Sequence, residues 1–288
     1  MSARDSHREQ APSIGSRSVL HVATVHYGSP AWVEIQTRHL REHLSVPFRT
    51  WTSLEGIDPS YGSHFDHVLD HRGRHSDKLN HLAIEICAVA PDDDLIMFLD
   101  GDAFPIADPM PLIEDGLGRA PLLAVRRAEN VSDRQPHPCF CVTTVGTWRT
   151  LPGDWSAGYS WPNTNGQLVS DVGGNLLRQL ELTGTPWVEV LRSNRVNLDP
   201  LFFGIYGDAI YHHGAGFRPS EFSRVHRGDG PNLVEPPRFP PLRLPVRLIN
   251  RQRKRRWRSE IRAGQDEHAE RILARIESGD PGWVDELR

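Results

Sequence analysis

Leu95-Ile96-Met97-Phe98-Leu99-Asp100-Gly101-Asp102 is the stretch whose reading decides the fold. Five apolar residues in a row predict a strand buried on both faces of an α/β sheet. Asp100 and Asp102 then lie where that strand leaves the sheet. Ligands of open α/β sheets bind at the carboxyl ends of the strands. Gly101 allows the sharp turn between the two carboxylates, and together they make a hard oxygen site for Mg²⁺ or Mn²⁺. An ion of this kind bridges protein carboxylates to substrate phosphates. The stretch therefore implies an enzyme acting on a phosphorylated donor.

Outward from this strand, the first half of the chain alternates strand and helix. Val19 to Val25 predicts the first strand, and Ser29 with Pro30 opens a helix to about Leu44. Phe48 to Thr52 and His67 to Leu69 predict further strands. A helix capped by Ser76 or Asp77 runs to Ala88, and Pro121 to Val125 gives another strand. This order implies a largely parallel sheet with helices on its faces. Later, Cys139 to Val142 reads as a strand and Asp171 to Leu182 as a helix. A hairpin then leads into His213-Gly214-Ala215-Gly216-Phe217-Arg218-Pro219. Residues 18–228 form the expected catalytic domain. Residues 1–17 precede it as a flexible polar tail, and 229–288 follow as a Pro-rich, then basic, then helical extension with its helix at about Gln265 to Glu277.

Composition agrees with a globular enzyme. At 288 residues, with 38% hydrophobic and 24% charged side chains, the chain can bury a substantial core. A net charge of −4 argues against nucleic acid as the main partner. No apolar run reaches the about 18 residues of a membrane span. Three cysteines give no disulfide framework and fit a reducing cytoplasm. Cys139 and Cys141, two apart in a strand, should face one side and pack in the core. Of the 33 basic side chains only Lys78 and Lys254 are lysines. Lys254 lies in the Arg251 to Arg258 run, a solvated helix face or a dock for an anionic membrane. Lys78 stands alone, in a chain that otherwise uses arginine, as a compact charge suited to phosphate.

The order of buried strand, Asp100-x-Asp102, helix with Asp171, and late His213-x-x-Gly216-x-Arg218-Pro219 resembles the nucleotide-sugar glycosyltransferases of the GT-A fold. The motif order is most similar to the retaining glycogenin and bacterial galactosyltransferase type, whose last element reads His-x-x-Gly-x-x-Lys-Pro. This chain is one residue shorter there and carries Arg218 in place of Lys. The resemblance covers roughly residues 19–220. It implies a Rossmann-like, GT-A-like sheet and a metal-dependent transferase using a nucleoside diphosphate sugar, with retention of configuration. It further implies Asp102 and His213 as ligands of Mn²⁺ or Mg²⁺, with Asp100 ligating the ion or holding the ribose hydroxyls; strand alternation puts His212 on the opposite face. Gly101 would belong to the donor site at the turn, Gly216 would approach the phosphates, Arg218 would pair with them, and Asp171 would contact the transferred sugar or act in catalysis.

Topology adds Val25, His26 and Tyr27 at the end of the first strand as a frame for base and ribose, with Lys78 on the ribose-phosphate side. Asp171 also suits a helix N-cap. Trp155, Tyr159 and Trp161 offer an acceptor surface for an unknown hydroxyl compound, or a small core pinning a long loop. Two rival functions stay open from the residues alone. One is a nucleotidyltransferase on a related sheet, although His26-Tyr27-Gly28-Ser29-Pro30 is not its glycine-rich phosphate loop. The other is a scaffold whose basic C-terminal region binds anionic lipid or RNA. The expected location is cytoplasmic, with peripheral membrane contact through Arg251 to Arg258.

Overall fold

The computed structural model describes residues 18–130, 133–163, 166–195, 202–214, 233–235 and 243–288. Strand β1 (Leu20–Tyr27) leads through α1 (Ala31–His43) to β2 (Phe48–Glu55) and β3 (His67–Leu69). Helix α2 (His75–Val89) returns the chain to β4 (Leu95–Asp100), which turns into β5 (Ala103–Pro105). Next come α3 (Met110–Leu117), β6 (Leu122–Val125), β7 (His137–Thr144) and α4 (Val145–Thr150). A short ribbon of β8 (Trp161–Pro162) and β9 (Leu168–Val169) precedes α5 (Gly174–Thr183) and β10 (Val188–Val190). Strands β11 (Gly204–Tyr206) and β12 (Ile210–His212) form a hairpin, and α6 (Arg243–Glu277) follows.

The main sheet has seven strands in the order β10-β6-β7-β4-β1-β2-β3. Only β7 runs antiparallel to its neighbours β4 and β6. The expected α/β class, a mostly parallel sheet flanked by helices, is thus present. Strand β4 behaves as its apolar run demands. Ile96 and Phe98 pack into one core layer beneath α2 and α5, while Met97 and Leu99 pack into the layer on the opposite face. The chain builds β1, β2 and β3 outward in one direction, then crosses back to lay β4 on the other side of β1. The crevice between the carboxyl ends of β1 and β4 is therefore the topological switch point, where ligands of such sheets bind. Val25 of β1 pairs there with Asp100 of β4.

A second sheet, β11-β12-β5, stands in front of that crevice. Behind it lies a third core layer that includes Trp32, Phe104, Phe203 and Tyr211. Ile272 and Ile276 of α6, with Trp283 and Leu287 beyond it, complete this layer. The last turns of the chain therefore back the strand that carries His212.

Several local expectations change. Pro30, not Ser29, occupies the N-cap position of α1, and no side chain caps that end. Helix α2 starts at His75 with Arg74 at its N-cap, ahead of the expected Ser76 or Asp77, and the Asp77 carboxylate accepts the Arg74 backbone N–H at 3.2 Å from within the first turn. Helix α5 starts at Gly174, so Asp171 does not cap it. Gly173 holds the N-cap position at φ 85°, where a Cβ would lie 2.4 Å from the Pro136 carbonyl oxygen. Glycine alone fits that crossing. The basic run is not a separate segment before the last helix. It forms part of the 35-residue α6, where its side chains are mostly exposed and i,i+4 pairs such as Arg256 with Glu260 support a helix without an apolar stripe. Cys139 and Cys141 fall in different core layers rather than on one side. The register between β6 and β7 slips after Ala124, and this bulge breaks the alternation.

Candidate active site

The Asp100-Gly101-Asp102 turn is braced from beneath by Gln36 of α1. Its amide Nε2 donates to the carbonyls of Asp100 at 2.8 Å and Ala103 at 2.7 Å. Its Oε1 accepts from His26 Nε2 at 3.0 Å. Both amide protons and the amide oxygen are thus engaged, which fixes the path of the turn. Gln36 gives no signal in the sequence, since a lone glutamine on an amphipathic helix carries no motif.

The third member of the site is His212. Strand β12 pairs with β5, setting His212 opposite Ala103, and the His213 N–H donates to the Asp102 carbonyl at 3.0 Å. His212 Nε2 lies 3.4 Å from Asp102 Oδ1 and 3.5 Å from Asp100 Oδ2. Ligand atoms of Asp100, Asp102 and His212 all fall within 4.8 Å of one another. His213, the ligand expected from the motif, points to the other face. It hydrogen-bonds with the Tyr211 hydroxyl at 2.9 Å and packs 4.6 Å from the Trp32 ring and 5.3 Å from that of Phe203. Burial in that aromatic cage lowers its pKa to about 4. Strand alternation separates the two histidines as expected, but in the opposite sense. Tyr211 and His213 share the apolar side because the third core layer lies there.

This donor set fits a divalent cation. Two carboxylates and an imidazole suit Mn²⁺ and its neighbours. Asp100 Oδ1 is buried without a hydrogen-bond partner, as is the His75 Nε2 that lies 3.2 Å away but is not aligned to bond it. Burial pushes the Asp100 carboxyl up. Burial works against a charged His212, yet Cys139 and Asp102 beside it outweigh that and hold its imidazole well above the histidine range. The pocket thus attracts positive charge. His137 comes close as well, 4.0 Å from Asp100, but its Nδ1 accepts the Cys139 N–H at 3.1 Å and is already committed.

On the β6 side, half-buried Arg127 lies 2.6 Å from Asp133 and 3.6 Å from Asp171. Burial opposes its charge, but Asp133 and the groups around it hold the guanidinium well above its ordinary range. Its charge is also felt by Asp100. Asp171 is half exposed at this edge, tied to Arg127 rather than to a helix end. Arg127, Asp133 and His137 belong to a loop and strand start with no recognisable spacing, which hid them in the sequence.

On the β1 side only Tyr27 of the expected base frame is open, at 53% exposure. Val25 is buried in the core. His26 is buried beneath Phe65, where desolvation lowers its pKa to about 4. Lys78 sits 5.3 Å over the Tyr27 ring and 2.5 Å from Glu55, joining the ends of β1 and β2 to α2. It is buried, which no plain surface lysine is. Trp155 and Trp161 are buried too. Trp155 packs on Phe98 and Trp148, so these rings serve as core and leave only Tyr159 outward, bonded to Glu181 at 2.7 Å. Gly216 and Arg218 lie outside the described residues.

No protein family matches the chain, and no curated protein does. Solved structures do. The mannosyltransferase PcManGT from Pyrobaculum calidifontis, in complex with GDP-Man and Mn²⁺, matches at 12% identity and a TM-score of 0.42, over 66% of this chain and 61% of that one. The apo-form glycosyltransferase GlyE in Streptococcus pneumoniae TIGR4 matches at 13% identity and a TM-score of 0.39, over 60% and 45%. The Q189E mutant of LgtC matches at 13% identity and a TM-score of 0.32, over 45% and 59%. The chain thus spans less than two thirds of each of these proteins. Likeness this distant carries no weight for the chemistry, which rests on the geometry above.

Proposed function

We propose that this chain is a glycosyltransferase that moves a sugar from a nucleoside diphosphate sugar to a hydroxyl-bearing acceptor, with retention of configuration. The observation that carries the reading is the Asp100, Asp102 and His212 cluster at the β1/β4 switch point. Asp100, Asp102 and His212 would hold a divalent ion, Mn²⁺ by preference, which when bound offsets charge on the diphosphate leaving group. Gln36 keeps the two carboxylates turned inward. Tyr27 presents a ring face at the β1 edge for the donor's base or ribose, and Lys78 places a fixed positive charge beside it. Arg127 orients Asp171 toward the transferred sugar. Retention is supported by the His213 to Pro219 element of the sequence. Contact of the exposed Arg251 to Arg258 stretch of α6 with an anionic membrane surface, from the cytoplasm, belongs to the same proposal. Leu244, Leu248 and Ile249 are exposed near it. No helix of the described residues is long and apolar enough to cross a membrane.

Calorimetric binding of UDP, GDP and dTDP, each with and without Mn²⁺, tests the reading. One nucleotide should bind, only with the ion, and Asp102→Asn should abolish that binding while leaving the fold intact. Binding that ignores both the ion and Asp102 would remove the proposed site.

A further inference from the structure

Helix α1 carries a second group of metal-binding side chains that the proposed transfer does not use. His39, Glu42 and His43 are spaced three and four apart, on one helix face. Their ligand atoms lie within 4.8 Å of one another. The two imidazole rings are 5.5 Å apart and inclined by only 31°. His39 is held in place on its inner side. Its ring packs 4.3 Å from that of Phe104, and its Nδ1 lies 3.1 Å from the Pro105 carbonyl. A carbonyl only accepts, so Nδ1 carries the proton and Nε2 the lone pair. Metal-binding histidines are oriented by a backbone carbonyl in this same way. Glu42 is exposed and His43 half-buried, so the group meets solvent.

We propose that His39, Glu42 and His43 form a second divalent-cation site, open to solvent, that takes Zn²⁺. Two imidazoles and one carboxylate with a position left for water make a zinc set, whereas Mg²⁺ and Ca²⁺ prefer oxygen donors alone. The two flanking cations of the helix have partners elsewhere: Arg38 donates to the Ile276 carbonyl at 2.9 Å and Arg41 to the His64 carbonyl at 3.4 Å. Pro105 ends β5, the partner of β12. An ion at this site therefore ties α1 to the strand pair that presents His212. The inference stands independently of the proposed transferase activity.

The test is a Zn²⁺ titration by calorimetry of chelator-treated protein, freed of any purification tag, in the Asp102→Asn background that silences the other cluster. Co²⁺ absorption in the visible range gives a second readout of the ligand set. One equivalent of Zn²⁺ should bind. His43→Ala should weaken it by at least about 100-fold and Glu42→Gln by about tenfold, with the Co²⁺ spectrum altered in both. Either substitution lies on an accessible helix turn, and circular dichroism would verify the fold. No Zn²⁺ binding in the Asp102→Asn protein, or binding unchanged by both substitutions, would overturn the site.

Discussion

Replacing Gln36 by leucine should damage stability and the metal site together. The side chain makes three hydrogen bonds, to the Asp100 carbonyl, the Ala103 carbonyl and His26. It is fully buried, so no water replaces them. At roughly 1 kcal/mol net for each bond, Gln36→Leu should cost about 3 kcal/mol, and more if the carbonyls stay unpaired. For a domain of this size that is a fall in Tm of roughly 6 to 10 °C. Urea unfolding followed by tryptophan fluorescence measures it well, since Trp32 and Trp155 lie in the core. The same protein, below its transition, should bind Mn²⁺ more weakly, because the Asp100 to Ala103 turn loses its brace. A loss under about 1 kcal/mol would show that the amide bonds do not fix the turn. Normal stability loss with unchanged Mn²⁺ affinity would show that the turn does not need bracing for the site.

Three other outcomes follow from the same geometry. His212→Ala should remove Mn²⁺-dependent nucleotide binding with little loss of stability, whereas His213→Ala should unfold more readily and still bind; the reverse pattern would restore His213 as the ligand. Lys78→Arg should weaken donor binding by about tenfold despite equal charge, because the longer fork does not fit the buried slot against Glu55 and Tyr27; unchanged calorimetric affinity would make Lys78 structural. His26 has its folded pKa lowered from 6.5 to about 4 by burial. Between those values the unfolded chain takes up the proton first, so His26 favours the fold above about pH 6.5 and loses that contribution as pH falls toward 4. Urea midpoints should drop from about pH 7.5 to about pH 5, and a flat profile would contradict the neutral, buried His26.

What could be read in the sequence, and what could not, divides along a physical line. Strand β4 and its two carboxylates were legible because a continuous apolar run has one stable place, the middle of a sheet. The lysine in α2 stood out by contrast with the arginines around it. The choice between His212 and His213 was not legible. Alternation separates neighbours on a strand, but which one faces the site depends on where the aromatic layer of Trp32, Phe104 and Trp283 lies. That layer is assembled from four distant segments. Gln36, Arg127 and Asp133 were silent for a similar reason, since each acquires its role only from partners remote in the chain or on an irregular loop. The tryptophans of the 155–161 stretch read equally as an acceptor surface or a loop core, because aromatic composition marks both alike, and their burial decides for the core.

The aromatic layer also sets an order of events during synthesis. Asp100 and Asp102 leave the ribosome long before His212, and the strand that carries His212 has its backing only once Ile272 to Leu287 have followed. Contacts across such separations form late, after their loop-closure entropy has been met. A nascent chain stalled between His212 and Ile272 would hold the two carboxylates and the parallel sheet, yet lack a firmly seated imidazole. Ion capture by the Asp100, Asp102 and His212 cluster would then wait for residues 272–287.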